Sequence, residues 1–224
     1  MNQIFNPDNP VMRFLSKFCD LMLLNILFII TSIPIFTIGA SLAAMYKITL
    51  DIVTNDDPYI IRGYFKAFKK NFKQATLIWL PMLFALLFFA IDLYVVYNII
   101  DPGYSYLQFP IWIIMFVILS IVIYAFPMIG RYEATSKQIL KNSVLLSVAN
   151  IPVTIMILAI YAGIAYLASL SAKALITAFS IFLFFGFSAI AFYNSLFLIR
   201  IFFKCNPDEE EALKNRELEE ASTL

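Results

Sequence analysis

Charge is missing from this 224-residue sequence over stretches longer than a soluble protein tolerates. Asp20 and Lys47 are separated by 26 uncharged residues, Lys73 and Asp92 by 18, and Asp101 and Arg131 by 29. Lys141 and Lys173 are separated by 31, and Lys173 and Arg200 by 26. About 20 apolar residues cross the hydrocarbon of a bilayer as a helix. A segment inside lipid must also satisfy its own backbone hydrogen bonds, which helices do and isolated strands do not. Charged residues make up 14% of the chain, where a soluble domain carries roughly 25%. Strands of a membrane barrel alternate apolar and polar residues, and these runs do not. The expected fold is therefore all-α: a polytopic transmembrane helical bundle of five to six membrane helices. It forms one integral membrane domain over residues 1–204, followed by an acidic polar tail over 205–224.

The runs can be placed one by one. Asn9-Pro10 reads as a helix start, with Asn at the cap and Pro at the first helical position. The first helix covers 11–33 and ends or kinks at Pro34. Residues 34–39 form a break within the membrane zone, followed by a second helical segment over 40–53 that carries Lys47 and Asp51 one turn apart. Thr54-Asn55-Asp56-Asp57-Pro58 is a turn, and Asp101, Pro102 and Gly103 mark the opposite side. Further spans are expected over 75–91, 109–129, 142–171 and 174–199. The 40–53 segment decides the count. If it crosses, there are six membrane helices; if it lies on the surface, there are five. Six is preferred, because it gathers fifteen of the sixteen basic residues on one side, leaving only Lys173 opposite.

The strongest single signal lies at residues 60–73. Arg62, Lys66, Lys69 and Lys73 fall at helical offsets that place them on one stripe, with Lys70 beside it; Ile61, Phe65, Phe68 and Phe72 form a second stripe. A helix of this kind suits a membrane surface, with its rings at the acyl boundary and its cations at anionic lipid headgroups. The abundance of Lys and Arg over 47–73, 131–141 and from Arg200 onward marks these regions as cytoplasmic. The C-terminus, and on the six-helix reading the N-terminus, then lie inside the cell. The same basic helix could instead dock a cytoplasmic partner. After Arg200 and Lys204, Asn206-Pro207 starts an acidic helix, read as a solvated tail.

Sites for chemistry are few. The chain has no histidine and two cysteines, Cys19 and Cys205, outside any CxxC pair. No metal or other cofactor is expected, and both thiols read as free. A net charge of +1 argues against nucleic acid as a partner. The polar positions within or near the spans are Asn25, Asp92, Asn150 and Asn194. Intramembrane acids are functional candidates by default, yet Asp92 falls near a span's end and is more simply a solvated group. The amides are more simply helix-to-helix glue than the lining of a solute path. Ala159/Gly163, Ala165/Ser169 and Ala168/Ala172 are spaced for close helix approach. A weak internal echo is present: Pro81 and Pro152 each follow an Asn by ten residues, in Lys70-Asn71 and Lys141-Asn142.

Three stretches carry a resemblance: Phe5-Asn6-Pro7-Asp8-Asn9-Pro10, Pro34-Ile35-Phe36-Thr37-Ile38-Gly39-Ala40-Ser41-Leu42, and Tyr64-Phe65-Lys66-Ala67-Phe68-Lys69-Lys70-Asn71-Phe72-Lys73-Gln74-Ala75. In these the chain resembles the YesL-like family of bacterial integral membrane proteins. That family has no assigned activity and no accepted catalytic residues, so it assigns no site here. Its members commonly lie near genes for carbohydrate uptake. The resemblance implies a non-enzymatic accessory protein in a bacterial plasma membrane, with a transporter or sensor as partner. The alternative function is a small solute transporter or channel, acting as an oligomer.

Overall fold

The computed structural model describes residues 10–54, 59–99 and 106–222. The 5–9 motif, the 55–58 part of the turn and the loop at 101–103 lie outside the described residues. Within them the chain is helical, with no strand. In chain order the helices are α1 (Pro10–Ser32), α2 (Ile38–Val53), α3 (Ile60–Asn98), α4 (Gln108–Arg131), α5 (Ser136–Ala149), α6 (Ile151–Ser169), α7 (Ala172–Ile181), α8 (Phe187–Cys205) and α9 (Pro207–Ser222). Among the described residues six stretches are long and apolar enough to cross a membrane: Leu15–Ser32, Ile35–Val53, Ile60–Asn98, Gln108–Arg131, Ile151–Ser169 and Ala172–Cys205. The fold is an all-α helical bundle whose apolar lengths are compatible with a multi-pass membrane protein.

The short segment that left the helix count open is the centre of the molecule. Of the Ile35–Val53 stretch 67% is buried, against 11–28% for the other five. Small residues make this possible, because they let neighbouring backbones approach. A Cβ on Gly39 would stand 2.5 Å from Trp79 Cβ and 2.8 Å from the Ala75 carbonyl oxygen of α3; one on Gly130 of α4 would stand 2.7 Å from the Ala43 carbonyl oxygen of α2. Lys47, the apparent obstacle to a crossing, is neutralised within its own helix by Asp51 at 2.5 Å. Pro34 ends α1 as the sequence predicts, and Ile35–Thr37 form a single 3-10 turn before α2. Thr37 closes that turn by donating to the Pro34 carbonyl at 2.6 Å, and Trp79 Nε1 of α3 donates to the Ile35 carbonyl at 2.9 Å.

Three features depart from the sequence expectation. The basic segment and the span after it are one unbroken helix, α3, of 39 residues. Between Lys73 and Leu77 stand only Gln, Ala and Thr, with no glycine or proline to end a helix. The expected 142–171 span is instead two helices that meet at Asn150. The last span contains a π-helical turn, Phe182–Gly186, between α7 and α8. The small-residue pairs of α6 find no partner helix at Gly163, where an added Cβ would meet nothing within 4 Å.

Candidate functional site

The basic end of the bundle holds a cleft of about 840 Å³. One wall is the first four turns of α3. Ile60, Tyr64, Ala67 and Asn71 are buried on its bundle-facing side, while Arg62, Lys66 and Lys70 follow one another at single-turn spacing along the cleft. The second wall is the end of α2, with Lys47 and Asp51. The third is the end of α4 and the link to α5, from Ile129 through Thr135, with Gln138. Gly63 and Gly130 lie in the lining, and Gly130 is where α4 meets the α2 backbone.

The charges in this cleft divide into paired and unpaired. Lys47 is bonded to Asp51. Lys70 is bonded to Glu133 across the gap between α3 and the α4–α5 link. That hydrogen bond, with the charge behind it, holds the Glu133 carboxyl below the usual carboxylate range. Beside it Gln74 donates to the Ala134 carbonyl at 2.6 Å, so the link is fastened to α3 twice. Arg131 is held from the tail: it meets Glu209 of α9 at 2.6 Å, donates a second bond through Nε at 2.9 Å, and lies over the Phe203 ring. Tyr132 donates to the other oxygen of Glu209 at 3.0 Å. Burial first, and then the Glu209 carboxylate, push the Tyr132 phenol up to about 12. Thr135 and Gln138 cap α5 reciprocally. Among the described residues, Arg62 and Lys66 have no ion-pair partner. Asn71 is 8% exposed, and its amide has no hydrogen-bond partner among them.

The basic stripe read from the sequence is therefore split. Arg62, Lys66 and Lys70 line the cleft; Lys69 and Lys73 are exposed outside it. Lys47, Asn71, Arg131, Tyr132 and Glu133 were not singled out as site residues. A third stripe of α3, Gly63, Ala67 and Asn71, small and polar beside the cations, marks Asn71; the other four come from elements distant in sequence, and no local pattern marks them. The acidic tail, expected to be merely solvated, is anchored at Glu209.

The four polar span positions are scattered, and three of them are structural. Asn25 is fully buried and opposes the π turn: Nδ2 donates to the Phe182 and Leu183 carbonyls at 3.0 and 2.9 Å, and Oδ1 accepts from Ser188 N–H at 3.1 Å. A π turn leaves carbonyls without their usual partners, and Asn25 supplies the donor from α1. Asn194 is buried and donates to the Tyr46 and Tyr161 hydroxyls, joining α8 to α2 and α6. Next to it Ser195 and Thr49 share a bond of 2.8 Å. Asn150 ends α5, donating through Nδ2 to the Leu146 carbonyl at 3.1 Å. Asp92 is half-buried toward the far end of α3.

A family model described as "Protein of unknown function, DUF624" matches residues 21–93. The match covers less than half of the chain. It takes in the C-terminal half of α1, all of α2 and α3 as far as Leu93, and so includes Lys47, Arg62, Lys66, Lys70 and Asn71. No curated protein and no solved structure gives a match.

Proposed function

We propose that this chain is a YesL-like, non-enzymatic accessory protein of a bacterial plasma membrane, serving a carbohydrate uptake or sensing system. The cleft end and both termini face the cytoplasm, and anionic headgroups lie against the basic helix. The observation that carries this reading is the gathering of cationic side chains from α2, α3 and α4 at one end of an apolar bundle. Basic residues concentrate on the cytoplasmic side of membrane proteins, and anionic lipid attracts them there. The family match to a description without an activity fits an unassigned membrane protein. The carbohydrate part follows from the resemblance at 34–42 and 64–75, both inside the matched stretch. Against an enzyme stands the character of the cleft. The carboxylates that line it among the described residues, Asp51 and Glu133, are each engaged by a lysine, and the chain has no histidine to act as a base.

The transporter reading ranks second. Asn25, Asn194, Thr49, Ser195, Tyr124 and Thr154 are all used in bonds between or within helices, which leaves them poor material for a solute path. Affinity purification from native membranes, followed by mass spectrometry, recovers a transporter or sensor subunit with this chain. Recovery of the chain alone, with solute flux across liposomes that contain nothing else, replaces this reading with the transporter. Orientation is tested at Cys205, exposed at the end of α8. With Cys19 changed to Ser, an impermeant maleimide labels it in inverted vesicles and not in intact cells.

A further inference from the structure

We propose that the cleft binds a phosphomonoester, whose phosphoryl group is held by Arg62 and Lys66 of α3, with the Asn71 amide further along the same wall, toward the organic body of the ester. This rests on the reading that the basic end meets anionic groups, and narrows it from a charged surface to one built site. Charge counting gives the ligand class. Lys47, Arg62, Lys66, Lys70 and Arg131 line the cleft, and Asp51, Glu133 and Glu209 each offset one of them. Two positive charges remain, on Arg62 and Lys66, among the described residues. A phosphomonoester carries about −1.5 to −2 at neutral pH and offers three acceptor oxygens. An arginine fork matches two of those oxygens at once.

A second, independent observation points to a ligand. The Asn71 side chain is more than nine-tenths buried, lies in the cleft wall and has no partner among the described residues. Its amide is not among the sealed, unsatisfied polar atoms, so it opens to the cleft and can bond a group that enters there. At about 840 Å³ the cleft is larger than a phosphoryl group and lies in the range of small-molecule sites, about 300–1,000 Å³. It therefore has room for an organic body. A phosphate of this kind comes from a lipid headgroup or from a soluble metabolite, and the chemistry at Arg62 is the same for both.

The test uses the full chain purified in a neutral detergent, with calorimetric titration of glycerol 3-phosphate and of dioctanoyl phosphatidic acid. Saturable binding of at least one is expected. Tighter binding of the lipid assigns the site to a headgroup, and equal or tighter binding of the soluble ester assigns it to a metabolite. Arg62→Gln with Lys66→Gln weakens binding by about tenfold or more, the loss expected from one charge-assisted hydrogen bond. Lys69→Gln with Lys73→Gln removes the same charge from the same helix outside the cleft, and leaves affinity within about twofold. Asn71→Asp, of the same size, sets a negative charge in the same cleft and also weakens binding of the anion. If that variant misfolds, the two exposed double variants decide. Equal losses from the two double variants, or no saturable binding of either ester, overturn the site. Neither result bears on partners or orientation, since the assay uses the isolated chain without a membrane.

Discussion

Lys70-Asn71 and Lys141-Asn142 are alike on paper: each opens a run of helix in which a proline follows the asparagine by ten residues. In the fold they part. α3 continues through Pro81 for another 17 residues, to Asn98, whereas the second run breaks between α5 and α6 at Asn150, two residues before Pro152. Asn71 is buried in the cleft wall, and Asn142 is exposed. The difference lies in the residue two places before each proline. Asn150 donates to its own turn at the Leu146 carbonyl and takes a non-helical conformation. Short polar side chains compete with the helix in this way. The matching residue in the first run is Trp79, whose only donor reaches out to the Ile35 carbonyl. A proline alone does not decide a break; the residues beside it do. The burial of Asn71 has a separate cause, the close seat of α2 against α3 and α4.

That cause can be attacked directly, with the largest expected effect. Gly39→Leu drives a side chain into the Trp79 Cβ and the Ala75 carbonyl, where even a methyl would stand under 3 Å away. Overpacking of this kind costs about 3 kcal/mol or more. The variant should lose its monodisperse peak on detergent gel filtration after mild heating. Gly163→Ala, which meets open space on α6, should behave as wild type. A stable Gly39→Leu protein would mean that close approach at α2 is not what sets the first run apart.

Next in size is the break itself. Asn150→Leu removes the bond to Leu146 and the polar residue that separates the two helices. A lost end bond is worth about 1 kcal/mol. A small drop in the detergent melting temperature is expected, with tighter hydrogen exchange across 146–152 as the helix tries to close. Unchanged exchange there would assign the break to Pro152 alone.

The all-helical fold and the runs that became spans were legible, because lipid demands uncharged length and the gaps between charges supply it. The centrality of α2 was not. Its hydropathy is unremarkable, and what buries it is the absence of side-chain bulk at Gly39, Ala40, Ala43 and Ala44 against partners far away in sequence. The continuity of α3 was readable in principle, since no breaker stands after Lys73. The cleft was legible only in part. Arg62, Lys66 and Lys70 stood out as charge, but Asn71 acquires its meaning from the α2 and α4 ends that close over it. The role of Glu209 depends on a 78-residue separation from Arg131 that no local pattern marks.

The two asparagines offer a finer test. An unpartnered buried amide contributes nothing to stability, and replacing it with an apolar group of similar size is neutral or favourable. Asn71→Leu should therefore melt no lower than wild type, even though it sacrifices the cleft amide. Asn142→Leu on the exposed face should lie within about 0.5 kcal/mol of wild type. A fall of more than about 1 kcal/mol in Asn71→Leu alone would show that the amide is bonded in solution and is a structural group.

The smallest effect concerns the link that precedes the second run, where the tail is anchored through Glu209. Tyr132 has a phenol raised to about 12, first by burial and then by the Glu209 carboxylate. Because the folded value is above the ordinary value of about 10, the stability it contributes is complete below pH about 10 and is lost as pH rises through about 12. Glu209→Gln removes the smaller of the two causes. The Tyr132 phenol should then titrate lower, yet still above the ordinary value, in ultraviolet difference titrations taken against Tyr132→Phe. The alkaline loss of stability should begin at the same pH and end sooner, by an amount under about 1 kcal/mol for a group partly open to water. An unshifted titration would mean that α9 is not seated on α4 in solution. The link before the second run would then be as free of the tail as the exposed face of Asn142 is.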